Sequence, residues 1–214
     1  AALWLWAVLA QATGMSGVLF AAIAACLPIL VTGGIHMDGY LDTVDALSSH
    51  QTCEKKLAIM KDANCGAFAV IYGGVYLLAY AGFAYEVFAA GHILLICPLF
   101  VLSRALSGLC AVNLPNARKS GMLCAFTSGV QRRTATVALT LVGLAAAAGM
   151  VWMSPTAGGM AAAFAVVSAL KYRRFALAQF GGVTGDTSGF FLQLCELCGL
   201  IGVWIGCLLY TSDA

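Results

Sequence analysis

Long apolar stretches alternate with short polar ones along the whole chain. The apolar runs are Leu3–Val31, Ala67–Tyr85, Val87–Val112, Ala135–Trp152 and Phe190–Tyr210, with a shorter one at Thr156–Leu170. A helix needs about 20 apolar residues to cross a hydrocarbon layer of about 30 Å, and most of these runs are that long or nearly so. The pattern predicts an all-α fold, a polytopic integral membrane helical bundle with about six transmembrane helices. The first run is longer than one crossing requires, and Gly14, Ser16 and Gly17 mark where it breaks into an interfacial lead-in and a span. Residues 1–214 read as one membrane-embedded domain without internal repeats, carrying polar segments at about 32–66, 113–133 and 171–188.

Composition agrees with that pattern. With 62% hydrophobic and 9% charged residues, the chain lies far from soluble globular proteins, in which about a quarter of residues are charged. Its 24 glycines suit helices that approach closely in lipid, and they leave room for a homo-oligomer. A net charge of +2 without a basic tract gives no reason to expect a nucleic-acid partner. The placement of charge says more than its sum. Lys55, Lys56 and Lys61 fall in the first polar segment, Arg118, Lys119, Arg132 and Arg133 in the second, and Lys171, Arg173 and Arg174 in the third. Between consecutive basic segments lies a pair of spans joined by a tight turn, near Glu86 and near Ser154–Pro155, which returns the chain to the side it left. All three polar segments therefore share one face, and the positive-inside rule makes it cytoplasmic.

Nine cysteines are scattered through apolar runs and these segments, where thiols stay reduced. Cys195 and Cys198 form a C-x-x-C pair with no second pair or histidine nearby, and are read as small buried hydrophobes. The chain begins inside an apolar run without Met and closes on Thr211–Ala214. It is expected to be truncated at its start.

The candidate chemistry is concentrated in residues 32–66, which hold five of the nine acidic residues. Asp38, Asp42 and Asp45 stand at i, i+4 and i+7, one face of a helix. Three stacked anions repel unless a cation lies among them, and a hard divalent ion is the usual partner. A merely solvated acidic face would interleave Lys or Arg, and none occurs between Asp38 and Lys55. Gly33 and Gly34 precede this face and let the backbone approach a phosphate. His36 is a candidate phosphate or carboxylate contact, or a structural histidine. An amphipathic helix over Cys53–Lys61 follows, then Asp62, a candidate metal ligand or base that the neighbouring Lys61 is placed to neutralise. In the third segment, Gly181, Gly182, Thr184, Gly185 and Asp186 resemble a phosphate-cradling turn just before a span. Arg104 and Glu196 lie within spans, where a charge is costly. Each is a functional candidate, and mutual pairing is the structural alternative.

The pattern GG-x-H-x-DG-x-x-D-x-x-D at 33–45, the E-K-K-L-x-IMKD run at 54–62, the GGVTGDTSG turn at 181–189 and the Ser103–Arg104 pair resemble the adenosylcobinamide-GDP ribazoletransferase (cobalamin synthase) family. The resemblance covers about residues 15–210. The chain departs from the family pattern at Ala46, where a Gly is usual, and in lacking the family's opening segment. The resemblance implies a bacterial or archaeal inner-membrane enzyme with its site facing the cytoplasm. Its substrates would be a corrinoid nucleotide and α-ribazole or its 5′-phosphate. A ribazole hydroxyl would attack the phosphorus attached to the corrinoid arm, and GMP would leave. It also implies Mg²⁺ held by Asp38, Asp42 and Asp45, with Asp62 completing the shell or accepting the proton. Lys61, Arg104 and the Gly181–Asp186 turn would position phosphates, Glu196 would orient them from below, and His36 and Lys61 join Asp62 as catalytic candidates.

Two other readings compete. A CDP-alcohol phosphotransferase requires a D-G-x-x-A-R step, whereas Tyr40, Leu41, Asp42 and Thr43 follow Asp38–Gly39 here. A cation transporter would carry its acids near the midplane and show inverted repeats.

Overall fold

A computed structural model describes residues 2–62, 64–118 and 120–211, so Lys119 and the closing residues 212–214 lie outside the described residues. Among the described residues the elements are helical, in chain order α1 (Ala2–Thr13), α2 (Gly17–Val31), α3 (Ile35–Ser48), α4 (Cys53–Ile59), α5 (Ala67–Ala89), α6 (Ile96–Asn113), α7 (Met122–Thr127), α8 (Arg132–Met153), α9 (Pro155–Phe180) and α10 (Gly185–Thr211). The expected all-α membrane bundle is what forms.

Among the described residues four segments, fewer than the six or so expected, are long and apolar enough to span a membrane: α5, Ile93–Asn113 containing α6, α8, and α10 from Gly185 to Leu209. The bent pair α2–α3 makes a fifth if it counts as one span. The break inside the first apolar run falls where expected: Gly14 takes φ +64 and Ser16 caps α2, its side chain accepting from the Leu19 amide. Helix α9 is longer than the short run at Thr156–Leu170 suggested. It continues through Lys171, Arg173 and Arg174 to Phe180, so the third polar segment is a helix end followed by a turn at 181–184 rather than a loop from 171. Long side chains whose stems lie along the bundle and whose charges reach the interface let a helix extend this way.

The core is built on α10, which packs against α9, α3, α5 and α6. Close approach to α9 depends on small residues: a Cβ at Gly202 would lie 2.8 Å from the Cα of Ala161, and Gly206 faces the backbone of Ala157. Lipid offers no hydrophobic drive for helix association, so such backbone proximity is where dispersion holds the bundle together. Large apolar side chains such as Leu78, Leu141, Leu144 and Trp152 point outward, as a lipid-facing surface requires.

Helix α3 leaves α2 at an angle of 94°. Gly33 and Gly34 make that corner, with φ of +65 and +80, values a side chain disfavours. Helix α3 then lies across the polar ends of α5 and α10. Tyr40 is buried beneath it between Tyr76 and Phe190, and Gly39 permits the helix to rest on the Asp186 backbone, which a Cβ would meet at 2.7 Å. That inward apolar face fixes which side of α3 points away from the bundle.

Candidate functional site

With Tyr40 and Val44 turned inward, Asp38 is exposed and Asp42 partly so, at the polar end of the bundle. The other two polar segments close around them. The amide of Ala117 donates to the Val183 carbonyl (2.9 Å) and the amide of Val183 donates to that of Pro115 (2.9 Å), joining the 114–118 stretch to the turn before α10. Lys56, buried on α4, donates to Gln179 near the end of α9. Arg118 donates through one nitrogen to Asp186 (2.8 Å) and through another to the Leu57 carbonyl (3.3 Å). The three polar segments thus meet at one end of the molecule, as their charge pattern predicted.

Burial and then the carboxylates of Asp38, Asp186 and Asp45 push Asp42 up to about 6, against the opposing pull of Arg118. Asp38, Asp42 and Asp186 form a mutually repelling group for which Arg118 is the cation at hand.

The three carboxylates of the expected triad have different surroundings. Asp45 shares the helical face, but its carboxylate accepts from the amides of Gly66 and Ala69 (2.8 Å), at the start of α5. The first amides of a helix have no partner within it, and a neighbouring carboxylate is a favourable one. Among the described residues no three His, Cys, Asp or Glu side chains converge as a ready metal cage. The pair Asp38–Asp42 nevertheless fits Mg²⁺, which is commonly held by one or two carboxylates with substrate phosphates and water supplying the rest. Burial first, and the neighbouring carboxylates after it, raise the Asp42 carboxyl.

Other predicted residues stand elsewhere or serve the scaffold. Asp62 is exposed, its carboxylate accepting from the backbone and side-chain nitrogens of Asn64 (3.0 and 2.8 Å), which hold its pKa below the usual range. Lys61 is exposed beside it. His36 is half-buried; burial and the nearby Arg104 charge lower its pKa, and its backbone packs on Gly189. Arg104 and Glu196 pair with each other, Ser103 donates to the same carboxylate (3.1 Å), and the guanidinium lies over the Phe100 ring at 4.8 Å. Gly181 ends α9 at φ +70, and Gly182 lets the 115–117 backbone pass, a Cβ there lying 2.9 Å from the Ala117 nitrogen. Thr184 starts α10, exchanging hydrogen bonds with Thr187: each hydroxyl accepts from the other residue's amide, at 3.1 and 2.8 Å. Gly185 follows in the first turn of α10, with open space where a Cβ would be.

Arg118 belongs to the basic second segment, whose charge suits a polyanionic ligand, but the sequence does not single it out there. Only the fold brings it to Asp186.

A family profile described as cobalamin-5-phosphate synthase matches residues 1–204. Among similar proteins is an adenosylcobinamide-GDP ribazoletransferase of Lachnoclostridium phytofermentans, 39% identical over 200 residues covering 92% of this chain and 76% of that protein. Proteins of the same name from Pseudomonas fluorescens and Stutzerimonas stutzeri are 31% and 34% identical, with 93% and 95% of this chain covered against 81% and 80% of theirs. No solved structure matches.

Proposed function

The chain belongs to the cobalamin-5-phosphate synthase family, and from that premise we infer that it is an adenosylcobinamide-GDP ribazoletransferase, a membrane enzyme that joins the corrinoid nucleotide to α-ribazole or its 5′-phosphate and releases GMP. The observation that carries the reading to particular atoms is the face of Asp38 and Asp42 on α3, set against Arg118 and Asp186 where three polar segments meet.

Displacement at phosphorus asks a protein mainly for positioning and charge neutralisation. Mg²⁺, when bound, neutralises the diphosphate and makes its phosphorus a better electrophile. Asp38 and Asp42 are the residues assigned to hold it. Asp45 acts one step back by docking α3 onto α5, which keeps those carboxylates turned outward. The Gly181–Asp186 turn sets the start of α10, whose amides face the phosphates. Asp62, an exposed carboxylate outside the contacts that join the three polar segments, keeps the role its sequence position suggests, acceptor of the proton of the attacking ribazole hydroxyl, with Lys61 beside it to steer the anion. Gly33 and Gly34 aim α3, His36 supports the contact between α3 and α10, and the Arg104–Glu196 pair holds α6 to α10 beneath the site.

By the positive-inside rule this end of the bundle faces the cytoplasm across the inner membrane, where soluble nucleotides have access to it. The test is GMP release from adenosylcobinamide-GDP by the detergent-solubilised protein. Release that requires both α-ribazole and Mg²⁺ supports the reading. Release without the acceptor points to hydrolysis, and absence of release in the complete mixture contradicts it.

A further inference from the structure

Arg118 is a guanidinium with two partners and a buried donor left unpaired. One nitrogen pairs with Asp186 at 2.8 Å, another donates to the Leu57 carbonyl at 3.3 Å, and Nε, shielded from solvent, has no partner among the described residues. Its acidic partner, Asp186, is partly buried and lies in the field of Asp38 as well as that of Arg118. A cleft lined by Asn116, Arg118, Ser120, Gly121, Thr184 and Asp186 opens beside the pair, at the first turn of α10. A planar fork able to bind two oxygens of a diphosphate thus spends one prong on a carboxylate that belongs to a crowded anionic group.

We propose that Arg118 is the phosphate-receiving residue of this site, held against Asp186 in the substrate-free protein and exchanged onto the diphosphate of the corrinoid nucleotide when it binds. This rests on the transferase reading and adds a residue and an order of events to it. The exchange keeps the guanidinium paired throughout. The Leu57 contact lets Arg118 turn from one anion to the other without leaving the junction of α4 with the 114–118 stretch, and α4 is itself anchored by the buried Lys56–Gln179 contact. Asp186, once released, adds its charge to the field of Asp38 and Asp42 and favours a cation there.

The exchange predicts opposite effects for the two partners. GDP serves as the probe, and its binding to the solubilised full chain is measured by calorimetry in EDTA. Arg118→Ala weakens binding about tenfold or more, the loss expected when a charged hydrogen-bond donor to phosphate is removed. Asp186→Asn, which removes the competing anion and leaves Arg118 free, tightens binding several-fold. Arg118→Lys, which keeps the charge without the fork, binds more weakly than the wild type and carries the test with Asp186→Asn if the alanine variant fails to fold. A purely structural strap predicts that all variants lower the thermal midpoint and that none tightens GDP. Wild-type affinity in Arg118→Ala, or affinity in Asp186→Asn no better than wild type, overturns the exchange. If the wild type meanwhile releases GMP from its two substrates, the transferase reading stands without it. A wild type that neither binds GDP nor releases GMP overturns both.

Discussion

Asp42 and Asp45 lie on one face of one helix and carry different duties. Asp45 spends its carboxylate on the first amides of α5, so Asp45→Asn, whose side-chain oxygen still accepts, should retain a measurable fraction of wild-type turnover. Asp45→Ala should cost about 0.5–2 kcal/mol of stability, the usual range for loss of a helix cap, read as a lower thermal midpoint. Asp42 is raised, by burial first and by the neighbouring carboxylates after it. Its folded pKa of about 6 lies above its unfolded value near 3.8, so the folded protein holds this proton more tightly than the unfolded chain does. Its contribution to stability is therefore full below about pH 4 and is lost as pH rises through 6. Activity should run the other way, since only the carboxylate holds a cation: the pH profile of GMP release should rise through about 6, and raising Mg²⁺ should move that limb to lower pH. A flat profile from pH 5 to 7.5 would remove Asp42 from the metal site. The spacing of the acids was readable in the chain. The direction of the Asp45 side chain was not, because it depends on where α5 begins in space.

At the scale of elements, the segment from Gln179 to Gly189 shows how a motif can be found and only half understood. Its glycines, threonines and aspartate stand where the third polar segment meets a span, and that much followed from composition and position. Their individual duties come from contacts distant in sequence: Gly182 yields to the 115–117 backbone, Thr184 and Thr187 close the first turn of α10, and Asp186 receives Arg118. Gly182→Ala should therefore act as an overpacking change, costing about 1–3 kcal/mol and shifting the thermal midpoint down. Gly185→Ala, with open space at its Cβ position, should leave that midpoint near wild type. Equal midpoints for the two variants would contradict the assignment. Helix α9 teaches the complementary lesson. Its basic residues signalled an end to the apolar run, but they did not end the helix, since Lys and Arg favour helix and reach the interface from within it.

For the whole molecule, the most productive step from the sequence was the alternation of basic segments with turns that reverse the chain. It anticipated that residues 32–66, 113–133 and the start of α10 would meet, and the Lys56–Gln179, Arg118–Leu57 and Ala117–Val183 bonds realise that meeting. What it left open was which charges would neutralise which, because pairing at a meeting point of separate loops has no local periodicity. Sidedness is testable on the same residues. Cys53 is exposed on α4, and in a variant retaining only that cysteine a membrane-impermeant maleimide should label inverted inner-membrane vesicles but not intact spheroplasts. Labelling of spheroplasts would place the site on the wrong side for its substrates.

The proposal assigns Asp42, on the outward face of α3, to a carboxylate site for phosphoryl chemistry at the membrane surface. GMP release from adenosylcobinamide-GDP and α-ribazole, measured for Asp42→Asn beside the wild type after both are shown to be inserted and folded, tests it most directly. A loss of about a hundredfold or more, comparable to removing a key electrostatic group, is the predicted result. Turnover by Asp42→Asn at the wild-type rate would contradict the account.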